Sequence, residues 1–378
     1  MDVNAPPGLL RAFAALKDPR MNRTKRHALA DILAIALCAI ICGADAWTQV
    51  AKFGRCKLTW FSTFLDLPNG IPSHDTFGRV FAALEPSPFE ACFMKWITEL
   101  ATASQGRLIA IDGKTIRRSL DAANDKTAIH LVSAWCQANH LVLGQVATDA
   151  KSNEITAIPE LMKLLDLHEA VVTIDAAGCQ KNIAQQIVQQ GGHYLLQLKG
   201  NQGGLHEEAV TLFDQCLTDD CHGVPYSTAA TLEKGHGRIE ERRIWATSEV
   251  NWFAEKDKWM NLRSLIRVQS KRTLNGQTSD EYRYYITDLP AEKPSELLAY
   301  IRGHWGVENN LHWSLDISFR EDERRIRAGH AAENFSRLSR IALNLLQAEK
   351  SNDGGIKTKR LCCGWDHDYL LKVLTGGV

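Results

Sequence analysis

The run Arg107-Leu-Ile-Ala-Ile-Asp112 constrains this chain more than any other stretch. A short apolar run of this kind reads as a strand buried within a sheet, and the carboxylate that ends it stands at the sheet's edge. Val171-Val-Thr-Ile-Asp175 repeats the pattern, and Glu308 follows in a helix-like segment, His304-Trp-Gly-Val-Glu-Asn-Asn-Leu-His312. Taken singly, either aspartate is equally a turn or cap residue. Taken together, two strand-end carboxylates and one helical carboxylate supply oxygen ligands for hard divalent cations. A pair of such ions suits in-line attack on a phosphodiester.

The words around these carboxylates narrow the reading. Asp112-Gly-Lys-Thr-Ile-Arg-Arg118, Asp175-Ala-Ala-Gly-Cys-Gln180, Leu198-Lys-Gly-Asn-Gln202 and Gly303-His-Trp-Gly-Val-Glu-Asn-Asn-Leu-His-Trp313 occur in this order. As a set they resemble the motifs of DDE transposases of bacterial insertion sequences, most closely the H-repeat-associated subgroup. The resemblance extends from about Leu9 to Leu374. It implies an α/β chain: an RNase H-like catalytic core with a β-rich insertion, preceded by a small all-α N-terminal domain. It implies Asp112, Asp175 and Glu308 as catalytic residues and metal ligands, with two Mg²⁺ or Mn²⁺ ions as cofactor. It further implies strand cleavage at the element ends and joining of the freed 3′-hydroxyl to target DNA. The partners so implied are double-stranded DNA, as terminal inverted repeats and as target, and a second copy of the chain in the DNA complex.

The resemblance has a gap. Many related transposases carry a tyrosine seven residues before this glutamate, an arginine four before and a lysine seven after. Those positions here hold Ile301, His304 and Leu315, with Tyr300 and Arg302 off register. Phosphate-clamping roles therefore do not carry over directly. The candidates for DNA contact are Lys114, Arg117 and Arg118 beside Asp112, Lys199 at a strand end, and Arg302, His304 and His312 around the glutamate. His236 and Arg238, in Lys-Gly-His-Gly-Arg, are weaker candidates. On an α-helix His304, Glu308 and His312 share one face, together with Trp305 and Leu315. Two imidazoles and a carboxylate also suit a transition metal, so a zinc hydrolase is one alternative. A DNA-binding relic without catalysis and a metal-dependent nuclease without joining activity are others. All three acidic positions being intact favours activity.

Gross properties set bounds. The 378 residues allow two or three domains. The 44 basic and 44 acidic side chains cancel, against the basic excess common in nucleic-acid binders. Local clusters matter more: Lys17 to Arg26, Lys114 to Arg118, and Arg320 to Arg327. Ten cysteines without a CxxC pair or a secretory segment predict reduced thiols in a cytoplasmic protein, associated with the nucleoid when bound to DNA. The apolar run Ile32 to Cys42 is too short for a bilayer span and predicts a buried helix.

Pattern changes predict the organisation. Residues 8–98 read as helical, with Ser73 as N-cap of a short helix after Asn69-Gly70-Ile-Pro72. That helix is either a DNA-recognition helix or ordinary packing. Strands are expected at Leu108–Asp112, Ile129–Gln137, Leu141–Thr148, Val171–Asp175 and Tyr194–Leu198, and helices at Ile155–Leu165 and Asn182–Gln190. The resulting order, β-β-β-α-β-α-β, is that of an RNase H-like fold. The expected core comprises 105–202 and 291–350, the β-rich insertion 203–290, and the C-terminal tail 351–378.

Overall fold

The structure, a computed structural model, describes residues 13, 15–101, 108–120, 127–148, 153–218, 223–235 and 237–375. Leu9, Arg107, the Lys151-Ser152 pair before the first core helix and His236 lie outside them. In chain order the elements are α1 (Leu29–Ile41), α2 (Trp47–Cys56), α3 (Leu58–Phe61), α4 (His74–Ala83) and α5 (Pro86–Ala101). Then come β1 (Leu108–Thr115), β2 (His130–Cys136), β3 (Leu141–Thr148), α6 (Glu154–Met162), β4 (Val171–Ile174), α7 (Lys181–Gln189) and β5 (His193–Leu198). Next are α8 (Gly203–Thr218), β6 (Ser227–Gly235), β7 (Arg238–Thr247), β8 (Ser264–Leu274) and β9 (Gln277–Thr287). The chain closes with α9 (Pro294–His304), a π-helical turn (Val307–His312), α10 (Trp313–Ile317), α11 (Ala331–Ala348), α12 (Ile356–Trp365) and α13 (His367–Leu374). The chain is mixed α/β, and the expected order β-β-β-α-β-α-β is present from β1 to β5.

Contacts divide it into two compact units. One gathers the described residues of 1–104, 113–153 and 308–378; the other gathers those of 105–112 and 154–307. β1 passes from the second to the first between Asp112 and Gly113.

In the second unit the strands run in the order β1-β4-β5-β9-β8-β7-β6. β1, β4 and β5 are parallel, and the rest are antiparallel to their neighbours. The parallel strands are apolar on both faces because helices cover them. Leu108, Val171, Leu195, Ile266, Val268, Ile244 and Ala246 form one face, on which α9 buries Leu297, Leu298 and Ile301. β8 and β9 join through Asn275-Gly276, both at positive φ (50° and 80°), the conformation a two-residue hairpin turn demands.

In the first unit α11 organises the packing. α1 is buried along almost its whole circumference, so it needs cover on every side, and α11 packs against it. This is why contacts group residues 15–101 with α11 rather than setting them apart. The segment 351–378 contributes α12 and α13 to the same unit. Ser73 caps α4 as its position predicted, its Oγ accepting from Thr76 N–H at 3.3 Å. Phe77 and Phe81 of α4 stack on Trp47, which meets Phe335 of α11 edge-on.

Buried polar side chains of α11 serve backbone groups elsewhere. Asn334 donates to the carbonyls of Phe81 and Leu84 at the end of α4. Asn344 accepts from Val142 N–H and donates to Val142 C=O, each at 2.8 Å, closing the edge of β3. Glu90, paired with Arg337, accepts from Gln145 N–H at 2.9 Å along the same strand. An unpaired strand edge invites foreign strands, and these side chains occupy it. Replacing Asn344 by Leu keeps volume but leaves a buried N–H and C=O without partners. The expected cost is about 2–5 kcal/mol, measured by urea unfolding as a lower midpoint with an unchanged slope.

Candidate active site

Strand register brings the two aspartates together. In the parallel pair β1–β4, Leu108 faces Val171 and Ile111 faces Ile174. Asp112 and Asp175 are the next residues on each chain, side by side where the β1–β4 pairing ends; β4 stops at Ile174, while β1, expected to end on Asp112, runs on to Thr115. Adjacent strands lie about 4.8 Å apart, close enough for two carboxylates to share a cation.

The turn after β4 is built tightly around Asp175. Its Oδ1 accepts from Ala177 N–H at 3.0 Å and from Gly178 N–H at 3.4 Å. A Cβ on Gly178 would run into Ile174 and lie 2.9 Å from Ile158, so only glycine fits there. The motif after β5 braces this turn: Asn201 donates to Ala176 C=O at 2.7 Å and Gln202 donates to Cys179 C=O. That bracing role went unrecognised in the sequence, where Leu198-Lys-Gly-Asn-Gln202 gave only its lysine as a candidate. Asn and Gln within a glycine-bearing strand-end motif were the available signal. Lys199 itself is exposed.

His304, at the end of α9, shares a hydrogen bond with Thr173 of β4 (Nδ1 to Oγ1, 3.0 Å). Burial pushes its pKa down to about 4, against the opposing pull of Asp175. It is therefore neutral at pH 7: a hydrogen-bonding group rather than a cation for phosphate. Arg302, one residue before Gly303, is ion-paired with Glu233 of β6.

The remaining candidates lie in the other unit. Glu308 is exposed, on the π-helical turn. The segment His304–His312, read as helix-like, is not a regular α-helix: α9 ends at His304 and the π-turn intervenes. A π-turn closes its hydrogen bonds five residues on, not four. The one-face arrangement of His304, Glu308 and His312 is thereby undone: Glu308 is exposed and Leu315 buried. His312 faces inward, where burial and the charges of Lys114 and Arg340 push its pKa down to about 3. Like His304 it carries no charge at neutral pH.

Lys114 also turns inward. Its side chain is 10% exposed and ion-paired with Asp316, with Glu321 at 3.5 Å and Asp322 at 3.9 Å. A lysine so engaged is an internal counter-ion, not the open surface cation its sequence position suggested. Arg117 is 83% exposed, with Asp322 at 3.3 Å, and Arg118 is exposed as well. Of the later arginines, Arg324 is buried, donating to Phe319 C=O.

Glu321 anchors this network. It is fully buried and pairs with Arg340 at 2.8 Å. Burial alone would raise its pKa, but Arg340, Lys114 and Arg324 and the Ser336 hydroxyl hold it well below the usual carboxylate range. A lowered carboxylate pKa stabilises the fold above the unfolded-state value of 4.5, and the benefit is lost as pH falls below it. Glu321→Gln removes one partner of a buried pair and is expected to cost about 3–5 kcal/mol at pH 7. Thermal unfolding at pH 7 and pH 3 checks this: the gap between wild type and variant narrows at the lower pH.

Among the described residues, no group of three or more His, Cys, Asp or Glu is arranged to hold a metal ion, and no helix is long and apolar enough to cross a membrane. The structure thus pairs Asp112 with Asp175 and leaves Glu308 on the other unit.

Comparison with known proteins decides the family. Residues 103–345 match the Transposase DDE domain, and residues 10–97 match the DDE_Tnp_1-associated family. The chain belongs to the DDE transposase family. It is 42% identical over 372 residues to "Putative transposase YncI" of Escherichia coli O157:H7, covering 97% of this chain and 94% of that protein. It is 39% identical over 376 residues to "H repeat-associated putative transposase YhhI" of Escherichia coli K12, covering 97% and 98%. Asp112, Asp175 and Glu308 all fall inside the matched DDE domain.

Proposed function

We propose that this chain is an active DNA transposase that cuts at element ends and joins them to target DNA, with Asp112, Asp175 and Glu308 as the acting carboxylates. The observation that carries the reading is the register that sets Asp112 beside Asp175. It is supported by the family match and by Glu308 standing exposed in the corresponding motif.

Neighbouring carboxylates on paired parallel strands are a donor set for hard cations, and Mg²⁺ or Mn²⁺ fits their oxygen chemistry. Asp112, Asp175 and Glu308 would hold two ions, which when bound polarise a phosphate and activate water. The chain's own part is to hold three oxygen donors and to steady Asp175 through Ala177, Gly178 and the Asn201–Gln202 brace. His304, neutral, fixes the end of α9 to Thr173. Lys199, Arg117 and Arg118, each exposed, are our candidates for meeting phosphates.

In the first step water attacks the phosphorus at the element end and the 3′-oxygen leaves, taking a proton. In the second that 3′-hydroxyl attacks a target phosphodiester and displaces the target's own 3′-oxygen. One phosphodiester is exchanged for another, so joining needs no nucleotide cofactor. We assign residues 105–202 and 291–350 to an RNase H-like core interrupted by the 203–290 insertion, acting on DNA in the bacterial cytoplasm.

The test is cleavage of a labelled duplex carrying the repeats that flank the coding region. With Mg²⁺ or Mn²⁺ the wild type nicks the repeat end. Asp112→Asn and Asp175→Asn, isosteric but poor cation ligands, lose on the order of 10³-fold or more in rate while still binding the duplex. A wild type that binds but never cuts with either metal makes the chain a DNA-binding relic.

The brace gives a second expectation. Asn201→Leu frees the Ala176 carbonyl and loosens the turn carrying Asp175. Cleavage falls about 10- to 100-fold, consistent with misplacing a reacting group, and the Mg²⁺ concentration for half-maximal rate rises. An unchanged metal dependence would sink the bracing role.

A further inference from the structure

The strand order of the second unit ends on β6, which pairs with β7 on one side only. Its nine residues contain no proline, and its register with β7 runs without a bulge. Edge strands are normally blunted by such devices, because an open edge accepts another strand. The edge strand β3 is guarded by side chains, those of Asn344 and Glu90. Among the described residues β6 has no such cover. Its lysine, Lys234, stands at the far end, and Glu233 is already ion-paired with Arg302.

Which backbone groups stay open follows from the turn between β8 and β9. Leu274 faces Gln277 across the turn Asn275-Gly276, so these two residues exchange hydrogen bonds with each other. Bonding sides alternate along a strand, and the registers of β7 with β8 and of β6 with β7 run without a shift. Carried across those registers, the alternation gives the odd-numbered residues of β6 to β7. Thr228, Ala230, Leu232 and Lys234 turn their N–H and C=O groups outward, and all are exposed. Among the described residues nothing bonds to those groups. α9 lies on the odd-numbered face, where Ala229 packs on the core and Glu233 meets Arg302, so it flanks this edge without closing it. Leu232, on the other face, is 64% exposed, a large apolar side chain left in water.

We propose that β6 pairs with β6 of a second copy, antiparallel and about a twofold axis at Thr231, joining the two sheets into one. An antiparallel edge turned about such an axis is its own complement. Turning about Thr231 sets Thr228 opposite the partner's Lys234, and Ala230 opposite the partner's Leu232. Every outward N–H then meets an outward C=O. Turning about Ala230 or Leu232 instead leaves one outward residue of each copy beyond the other's strand. The small alanine leaves room for the exposed leucine. No like charges oppose, since Glu233 meets the partner's Ala229. The pairing needs neither DNA nor catalysis, so it stands apart from the transposase reading above.

The experiment measures the mass of the full-length chain by sedimentation, without DNA. Wild type is expected to be a dimer at about 10 μM, the affinity range of a small interface. Ala230→Pro removes an outward N–H, which an edge strand tolerates. It is expected to weaken the dimer about 10-fold or more with an unchanged far-UV spectrum. Thr231→Cys tests the register. At the axis the two introduced thiols face each other in a non-hydrogen-bonded pair, about 4.5 Å apart between Cα atoms, a spacing a disulfide spans. Oxidised glutathione converts the two thiols to one disulfide and is itself reduced to two thiols. The covalent dimer is expected to form several-fold faster than with Lys234→Cys or wild type. Wild type that stays monomeric at about 100 μM overturns the pairing, and so does a dimer that Ala230→Pro leaves intact. Thr231→Cys that links no faster than Lys234→Cys overturns the axis and the proposal with it. Should Ala230→Pro fail to fold, the cross-linking comparison decides alone.

Discussion

The proposed site depends on the parallel pairing of β1 with β4. Pairing Ile111 with Ile174 makes Asp112 and Asp175 the first residues past the paired run on both strands. A slip of one residue would send one carboxylate to the opposite face of the sheet, because side chains alternate. The register is held by burial: Leu108 and Val171 join one apolar face under α9. The core thus does for the site what no loop could do, setting two like charges next to each other on a rigid frame.

Around that frame the polar groups divide into two kinds. Asn201, Gln202, Gly178 and His304 steady the surroundings of Asp175 from within its own unit, by hydrogen bonds to backbone or by lack of a side chain. Lys114, Asp316, Glu321 and Arg340 form a buried ionic network in the other unit. Buried ion pairs add little net stability but are costly to break. Their plain effect is to tie the part of β1 after Gly113 to α10, and the segment after α10 to α11, within that unit. Cations that the sequence offers to DNA are thereby spent internally. Lys199, Arg117 and Arg118 stay exposed.

The sequence was read well where a local rule governs. The apolar run that ends just before Asp175 and the Ser73 cap each follow from a few adjacent residues, and each is found where expected, whereas the strand read as ending on Asp112 runs on to Thr115. It was read poorly around Glu308. Nothing in Val307-Glu-Asn-Asn-Leu-His312 announces a π-turn, because its wider hydrogen-bond step is a response to packing rather than a residue preference. That one irregularity parts Glu308 from His312 and sets Trp313 a turn beyond the glutamate. The fates of Lys114 and His312 were equally hidden, since their partners Glu321 and Arg340 are distant in sequence or lie on another element.

By itself, then, the sequence determined the kinds of element, their order and the apolar runs that lead into Asp112 and Asp175, because alternation, capping and turn chemistry act within a few residues. Tertiary structure alone decided which strands are neighbours, which cations remain at the surface and which histidines are charged. Those outcomes depend on register and desolvation, and both are properties of residues brought together from far apart in the chain.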